Sequence, residues 1–192
     1  DIASEEFEIN SFMVDIIKKY PPVFDKTTSA FMYKRALRSS EILAGLTFKF
    51  PYFLDSRSRT YTDTTCGITP QGADHEKAML LPTYKADLTP SGFVALMEAA
   101  HGDSEQGWSE AVMLRHAMCP DYWVDEWMTA DKPYSYLACA HLLMRAKRGE
   151  AVPSFIALDG RCAGLQHWSA VIRSNAITRT LGMHQEEHEL DS

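Results

Sequence analysis

The chain has 192 residues, 45% hydrophobic and 23% charged, an ordinary globular composition that suits one domain or part of a larger one. Its formal net charge of −7 argues against a protein coated in nucleic acid, but it leaves room for a local basic groove. No apolar run reaches the ~18 residues needed to span a bilayer, so we expect no membrane partner. The cysteines lack C-x-x-C spacing, which indicates reduced thiols in a cytoplasmic protein; they are Cys66, Cys119, Cys139 and Cys162.

The first half of the chain contains two helix patterns followed by a stretch of strands and turns. The segment INSFMVDIIKKY (9–20) has apolar residues at helical spacing and stops at Pro21-Pro22. A second helix is predicted over 27–46, opened by Thr28 or Ser29 and ended near Gly45. Residues 46–83 are rich in aromatic and β-branched residues and punctuated by turn formers, which predicts short strands.

The second half is mostly helical up to one short strand. Helix patterns occupy 88–102, 104–119, 121–130 and 133–148. A strand is predicted over 152–158, then a last helix to about Gly182 and a polar tail. The predicted fold class is therefore α+β, mostly helical, with too few strands for a self-sufficient sheet.

An aspartate and a glycine interrupt the last strand at its tip. Asp159-Gly160 follows the apolar run FIAL, and helical spacing resumes afterwards. One interpretation is a plain turn in which the aspartate caps the next helix. The other is a divalent-cation site, in which the strand holds the carboxylate and the glycine lets a backbone carbonyl approach the same ion.

The residues around Asp159 favour the second interpretation, because LDGRCAGLQHWSAVIR (158–173) resembles motif A of the single-subunit, phage-type RNA polymerases. That family is shared by bacteriophages and mitochondria. The chain departs from the motif at Arg161 and Ala163, where the family usually has small hydroxyl residues. It matches at Asp159, Gly160, Cys162, Gly164, Leu165, Gln166, His167, Trp168, Ser169 and Ala170.

Three further blocks resemble the same family in the same order. FPYFLDSRSRTY (50–61) is similar to its Phe-Pro-Tyr-x-x-Asp-x-Arg-Gly-Arg-x-Tyr element, with Ser58 in place of the glycine. TPQGADHEKAMLL (69–81) and WMTADKPYSYLACAHLLM (127–144) match the segments that follow. The resemblance implies an incomplete polymerase palm of the right-hand fold. We divide the chain into a helical lead-in, a palm segment and a polar tail, at 1–48, 49–182 and 183–192.

The resemblance implies a role for several motif A residues. Asp159 would be the catalytic aspartate that ligates two Mg²⁺ ions for ribonucleotide transfer to an RNA 3′ end, with the Gly160 carbonyl as a second ligand. Gly164 would leave room for the ribose of the substrate. Gln166 and His167 would lie near the incoming nucleotide or support the Asp159 strand.

The resemblance also implies partners. Arg57 and Arg59 match arginines that contact the RNA–DNA hybrid, where charge-assisted hydrogen bonds position the strands without reading their sequence. The other expected partners are the DNA template, ribonucleoside triphosphates and a second polymerase chain. That chain would carry the nucleotide-binding helix and the second catalytic aspartate, which the family has downstream of motif A. We therefore expect either a fragment of such a polymerase or, as the favoured alternative, one subunit of a split phage enzyme in the bacterial host cytoplasm. In both cases we expect this chain to be inactive alone.

Two other functions compete with this interpretation. A non-catalytic, polymerase-like module that binds nucleic acid or a partner protein would explain the departures at Ser58 and Arg161. The segment HQEEH also fits an inverted zinc-protease motif, with His184 and His188 as ligands, but only four residues follow it.

Overall fold

The structure is a computed structural model that describes residues 5–24, 30–56, 59–63, 65, 67–101 and 107–153. These residues form a mixed α/β arrangement in which about half of the residues are helical. Three predicted features lie outside the described residues: the part of the 152–158 strand after residue 153, the motif A block and the last predicted helix. The elements are, in chain order, β1 (Phe7–Ile9), α1 (Ser11–Lys19), α2 (Ala30–Leu43), β2 (Tyr52–Leu54), β3 (Thr60–Thr62), α3 (Asp74–Ala78), β4 (Leu80–Pro82), α4 (Pro90–His101), α5 (Glu110–Met118), α6 (Val124–Trp127) and α7 (Pro133–Lys147).

Helix α7 lies at the centre of the described core. Five other helices pack against it and cover most of its surface; they are α1, α3, α4, α5 and α6. Its residues from Tyr134 to Leu143 are accordingly almost all buried. Pro133 occupies the first turn, where its missing N–H is harmless, and Gly149 ends the helix with a φ of 80°.

Helix α1 forms where the sequence pattern predicts it. The Asn10 side chain accepts a hydrogen bond from the Met13 N–H, which caps the first turn. Met13, Ile16 and Ile17 are buried on one face, and lysines occupy the last turn, where they complement the helix dipole.

The strands pair in two small antiparallel sheets. Strand β1 pairs with β4, with Phe7 opposite Pro82 and Ile9 opposite Leu80. Strands β2 and β3 form a hairpin. Isolated bridges add Phe48 beside Phe7 and join Ala86 to Val152. The second bridge brings the chain that leaves α7 back against the described core.

Several elements differ from the sequence prediction. The helix predicted over 104–119 is observed as the shorter helix α5, Glu110–Met118. Ser109 is its N-cap, and the Ser109 hydroxyl accepts a hydrogen bond from the Val112 N–H. The helix predicted over 121–130 is reduced to the four residues of α6, which ends in a turn where the Thr129 hydroxyl donates to the Glu126 carbonyl. Strand β1 and helix α3 were not predicted. No described helix is long and apolar enough to cross a bilayer.

Candidate nucleic-acid interface

The block FPYFLDSRSRTY folds as the β2–β3 hairpin. Tyr52 pairs with Thr62, Phe53 with Tyr61 and Leu54 with Thr60. The Asp55 N–H donates to the Arg59 carbonyl at 3.0 Å, and the Arg59 N–H donates to Asp55 Oδ1 at 2.9 Å. The aspartate of the family pattern therefore holds the backbone of the second arginine in place at the hairpin end.

This hairpin combines a pair of stacked aromatic rings with a cation close by in the chain. The Phe53 and Tyr61 rings lie 5.9 Å apart with an interplanar angle of 28°, and Phe53 is 54% exposed. Arg59 is also exposed and lies two residues from Tyr61, the spacing at which side chains of an extended chain share a face. No carboxylate of the described residues forms an ion pair with Arg59. This surface can therefore offer both a charge and stacking area to a nucleic acid.

The Pro-Gln-Gly turn of the next block holds the hairpin by its second strand. Gln71 Oε1 accepts from the Thr62 N–H at 2.9 Å and from the Thr62 hydroxyl at 3.0 Å. Gln71 Nε2 donates to the Thr60 carbonyl at 3.4 Å. The buried Thr62 and Thr69 hydroxyls also share a hydrogen bond of 2.5 Å. The Gln71 side chain thus pairs with the free edge of β3 as a neighbouring strand would.

Three residues after Gln71, Asp74 caps helix α7 from a distant part of the chain. Its Oδ2 accepts from the Tyr134 N–H at 2.9 Å, and its Oδ1 accepts from the Ser135 N–H at 3.1 Å and from the Ser135 hydroxyl at 2.5 Å. Burial raises the pKa of Asp74, and these hydrogen bonds oppose that rise. Because Lys132 offers no capping side chain, Asp74 satisfies the first-turn N–H groups of α7.

A buried polar cluster joins α5, α6 and α7. His116 is fully buried, and its Nδ1 shares a hydrogen bond of 2.8 Å with the Tyr136 hydroxyl. Its Nε2 lies 3.5 Å from Glu126 Oε2, and the same carboxylate binds Arg115. Burial lowers the pKa of His116, although Glu126 opposes this, so the imidazole is neutral at pH 7. The cluster therefore ties α5, α6 and α7 together through polar side chains, although His116 Nε2 and Arg115 Nε have no hydrogen-bond partner among the described residues.

A groove of about 350 Å³ lies between the start of α1 and the end of α7. Phe12 on one side stacks on His141 on the other, with ring centroids 3.9 Å apart. Arg145 in this groove pairs with Glu150 at 2.8 Å, so the basic cluster at the end of α7 is partly neutralised. The groove carries charges of both signs and has no excess of positive charge from which to expect phosphate binding.

Most of the predicted site residues lie outside the described residues. Arg59 is described and is exposed at the hairpin, and its contact with nucleic acid stays a prediction. Among the described residues, no three side chains of His, Cys, Asp or Glu are grouped as a metal site. The predicted residues that are not described are Arg57, Asp159, Gly160, Gly164, Gln166, His167, His184 and His188.

Sequence reasoning gave no role to Gln71 or Asp74. A signal for Asp74 exists in the sequence, because a helix that starts at Pro133 after Asp131-Lys132 has no Ser, Thr, Asp or Asn at its N-cap position. Such a start predicts a cap from elsewhere, but it does not say from where. The contact of Gln71 with the edge of β3 could not be predicted from the sequence, because no residue pattern indicates it.

Comparisons with known proteins match this chain to polymerases. A family model described as DNA-dependent RNA polymerase matches residues 112–191, a range that includes the motif A block. A protein of Neurospora crassa named "Probable DNA-directed RNA polymerase" is 25% identical over 193 residues, covering 91% of this chain. The chain spans about a fifth of the length of that relative, since the alignment covers 21% of it.

Proposed function

We propose that the chain, which is similar over residues 112–191 to DNA-dependent RNA polymerases and resembles their phage and mitochondrial type, forms part of a template-directed RNA polymerase and supplies Asp159 to its metal site. The observation that carries this proposal is the family match over 112–191, which contains the complete motif A block. The reaction would join a ribonucleotide to an RNA 3′ end.

Asp159 and the Gly160 carbonyl would hold magnesium. Both offer hard oxygen ligands, the donors that Mg²⁺ prefers. Two bound ions supply charge neutralisation at the attacking and leaving oxygens of nucleotidyl transfer. Gly164, five residues after the aspartate, would admit the ribose 2′-hydroxyl because it has no side chain. Gln166 and His167 would contact the incoming nucleotide or support the strand that bears Asp159.

The β2–β3 hairpin would hold the RNA–DNA hybrid. The exposure of Arg59, its freedom from ion pairs with the described residues and the stacked Phe53–Tyr61 pair beside it support this role. Arg57, two residues before Arg59 in the sequence, would add a second cation. Contacts of this kind bind phosphate and sugar and so would position any hybrid regardless of its sequence.

The working enzyme would need elements that the printed sequence does not contain. In the family these are a helix with Lys and Tyr over the nucleotide and a second metal-binding aspartate, both downstream of motif A. Either further residues of the same polypeptide or a second chain would supply them. The DNA template and ribonucleoside triphosphates would bind the completed enzyme, in the cytoplasm of a bacterial host if the enzyme is a phage protein.

Metal binding at Asp159 can be tested without polymerase activity. Fe²⁺ takes the place of Mg²⁺ in many oxygen-ligand sites, and with ascorbate and peroxide it cleaves the polypeptide near the bound ion. We expect wild-type chain to be cut close to residue 159 and Asp159→Asn to be uncut there, with excess Mg²⁺ protecting the wild type. Equal cutting of both proteins would contradict the proposed metal role.

Activity is tested by ribonucleotide incorporation on a preassembled RNA–DNA scaffold with magnesium. We expect no extension by the chain alone and extension once the missing elements are added, lost again in Asp159→Ala. Hybrid binding that is indifferent to magnesium, together with no extension by the completed complex, would instead indicate a non-catalytic module.

A further inference from the structure

The segment Thr69–Asp74 touches both the hairpin and helix α7, and it does so through side chains rather than by packing alone. We propose that Gln71 is a positioning residue for nucleic-acid binding, which acts by fixing the strand that follows Arg59. This inference rests on the proposed function, since it assumes that the hairpin binds a hybrid.

The hairpin needs an external partner because it is small. Each of its strands has three residues, and an isolated two-stranded hairpin is at best marginally stable in water. The Gln71 amide supplies the hydrogen bonds of a third strand, as an acceptor for Thr62 N–H and a donor to the Thr60 carbonyl. Thr60 directly follows Arg59, so the backbone that carries the guanidinium is held from two sides, by Gln71 and by Asp55.

The partner of the hairpin is itself anchored. Thr69 and Gly72 close a turn, with the Gly72 N–H donating to the Thr69 carbonyl at 3.1 Å. Asp74 then binds the first turn of α7, the helix against which α1, α3, α4, α5 and α6 pack. Gln71 therefore lies in a segment that connects the short hairpin to the helix at the centre of the described core.

A fixed hairpin binds a hybrid more tightly than a loose one. Ordering a segment at the moment of binding reduces affinity, and a segment that is ordered beforehand avoids this loss. Substitution of Gln71 should therefore weaken hybrid binding although Gln71 itself touches no nucleic acid in this proposal. Its effect should pass through Arg59.

The test measures the affinity of the full chain for a short fluorescein-labelled RNA–DNA hybrid by fluorescence anisotropy. Gln71→Met keeps the length of the side chain and removes its hydrogen bonds. We expect Kd to rise roughly threefold to tenfold, the factor that corresponds to about one net hydrogen bond. Thr129→Val is the matched control, because it removes one side chain–backbone hydrogen bond from an exposed turn of α6; its Kd should equal that of wild type.

A double-mutant cycle separates positioning from a general loss of stability. In the Arg59→Ala background, Gln71→Met should change Kd little, because the residue through which it acts is gone. An equal rise of Kd in both backgrounds, or no rise in either, would overturn the inference. A failure of the proposed function gives a different result: the wild-type chain would not bind the hybrid, or Arg59→Ala would bind as wild type does, and both proposals would then fall together.

Discussion

Gly72 shows how one missing side chain permits a buried carboxylate. A Cβ built on Gly72 would lie 2.7 Å from Glu76 Cδ and closer still to Glu76 Oε2. Glu76 is 6% exposed, and its carboxylate accepts backbone hydrogen bonds from Thr69 and Ala73. The Glu76 side chain could therefore make room for a methyl group only by giving up bonds that satisfy a buried charge.

We expect Gly72→Ala to lower the free energy of unfolding by about 1–3 kcal/mol, the usual range for overpacking a filled site. Gly107→Ala is the control, because no heavy atom of the described residues lies within 4 Å of the corresponding Cβ and no positive φ is involved. Its effect should stay within about 0.5 kcal/mol. Urea denaturation of the three proteins measures both, and equal midpoints for Gly72→Ala and wild type would contradict the packing described here.

At the scale of elements, the contact of α1 with α7 makes stability depend on pH. His141 on α7 stacks on Phe12 of α1, and burial, with the charge of Arg145, lowers its pKa to about 4. In the unfolded chain the imidazole titrates at its ordinary pKa near 6.5. As the pH falls from about 6.5 towards 4, the unfolded state therefore takes up a proton that the folded state refuses, and stability is lost.

His141→Phe isolates this contribution because it keeps the ring stack and removes the titration. We expect the variant to lose less stability than wild type between pH 7 and pH 5, by up to about 1.4 kcal/mol per pH unit below 6.5. His75, His116, Asp74 and Glu76 also have shifted pKa values, but they are present in both proteins, so their effects cancel in the difference. Parallel stability curves for the two proteins would show that His141 is protonated equally in the folded and unfolded states.

The elements that the sequence predicts well are those whose ends are set locally. Helices α1 and α7 carry their signals within a few residues, such as Asn10 at one start, Pro133 at another and Gly149 at an end. Strand β1 has three residues and pairs with β4, more than seventy residues away, so no local pattern announces it. Helix α3 is one turn long, and its Asp74 gains its role only from contact with α7.

The same division applies to the candidate site. The resemblance to motif A and the Arg-x-Arg pair can be recognised from the order of residue types along the chain. The stacked face of the hairpin could also be expected, because Phe53 and Tyr61 fall opposite each other once the turn is placed. The supports of that face, Gln71 and Asp74, depend on which segments meet in three dimensions, and spacing along the chain does not contain that information.

At the scale of the whole molecule, the sign of the net charge says little about nucleic-acid binding. The chain carries a formal charge of −7, yet most cations of its described part are held by carboxylates, such as Lys18 by Glu41 and Lys147 by Glu110. Arg59 has no such partner among the described residues. A phosphate of the hybrid can therefore bind Arg59 without first displacing a carboxylate, so no ion pair is lost when the charge-assisted hydrogen bond forms. Binding at this position can then be favourable although the net charge of the chain is negative.

If Arg59 binds a phosphate, the salt dependence of hybrid affinity should change when Arg59 is replaced but not when an ion-paired arginine is replaced. Affinity for the RNA–DNA hybrid should fall as KCl rises, because each phosphate contact releases condensed counterions, and Arg59→Ala should reduce the slope of log K against log salt by roughly one. Arg145→Ala removes the same side chain from a site where Glu150 already holds it at 2.8 Å, so its slope should match that of wild type. Anisotropy titrations across a series of KCl concentrations measure all three slopes. If the two arginine variants shifted the slope equally, the hybrid would be responding to total charge, and the hairpin would lose its distinction as the binding surface.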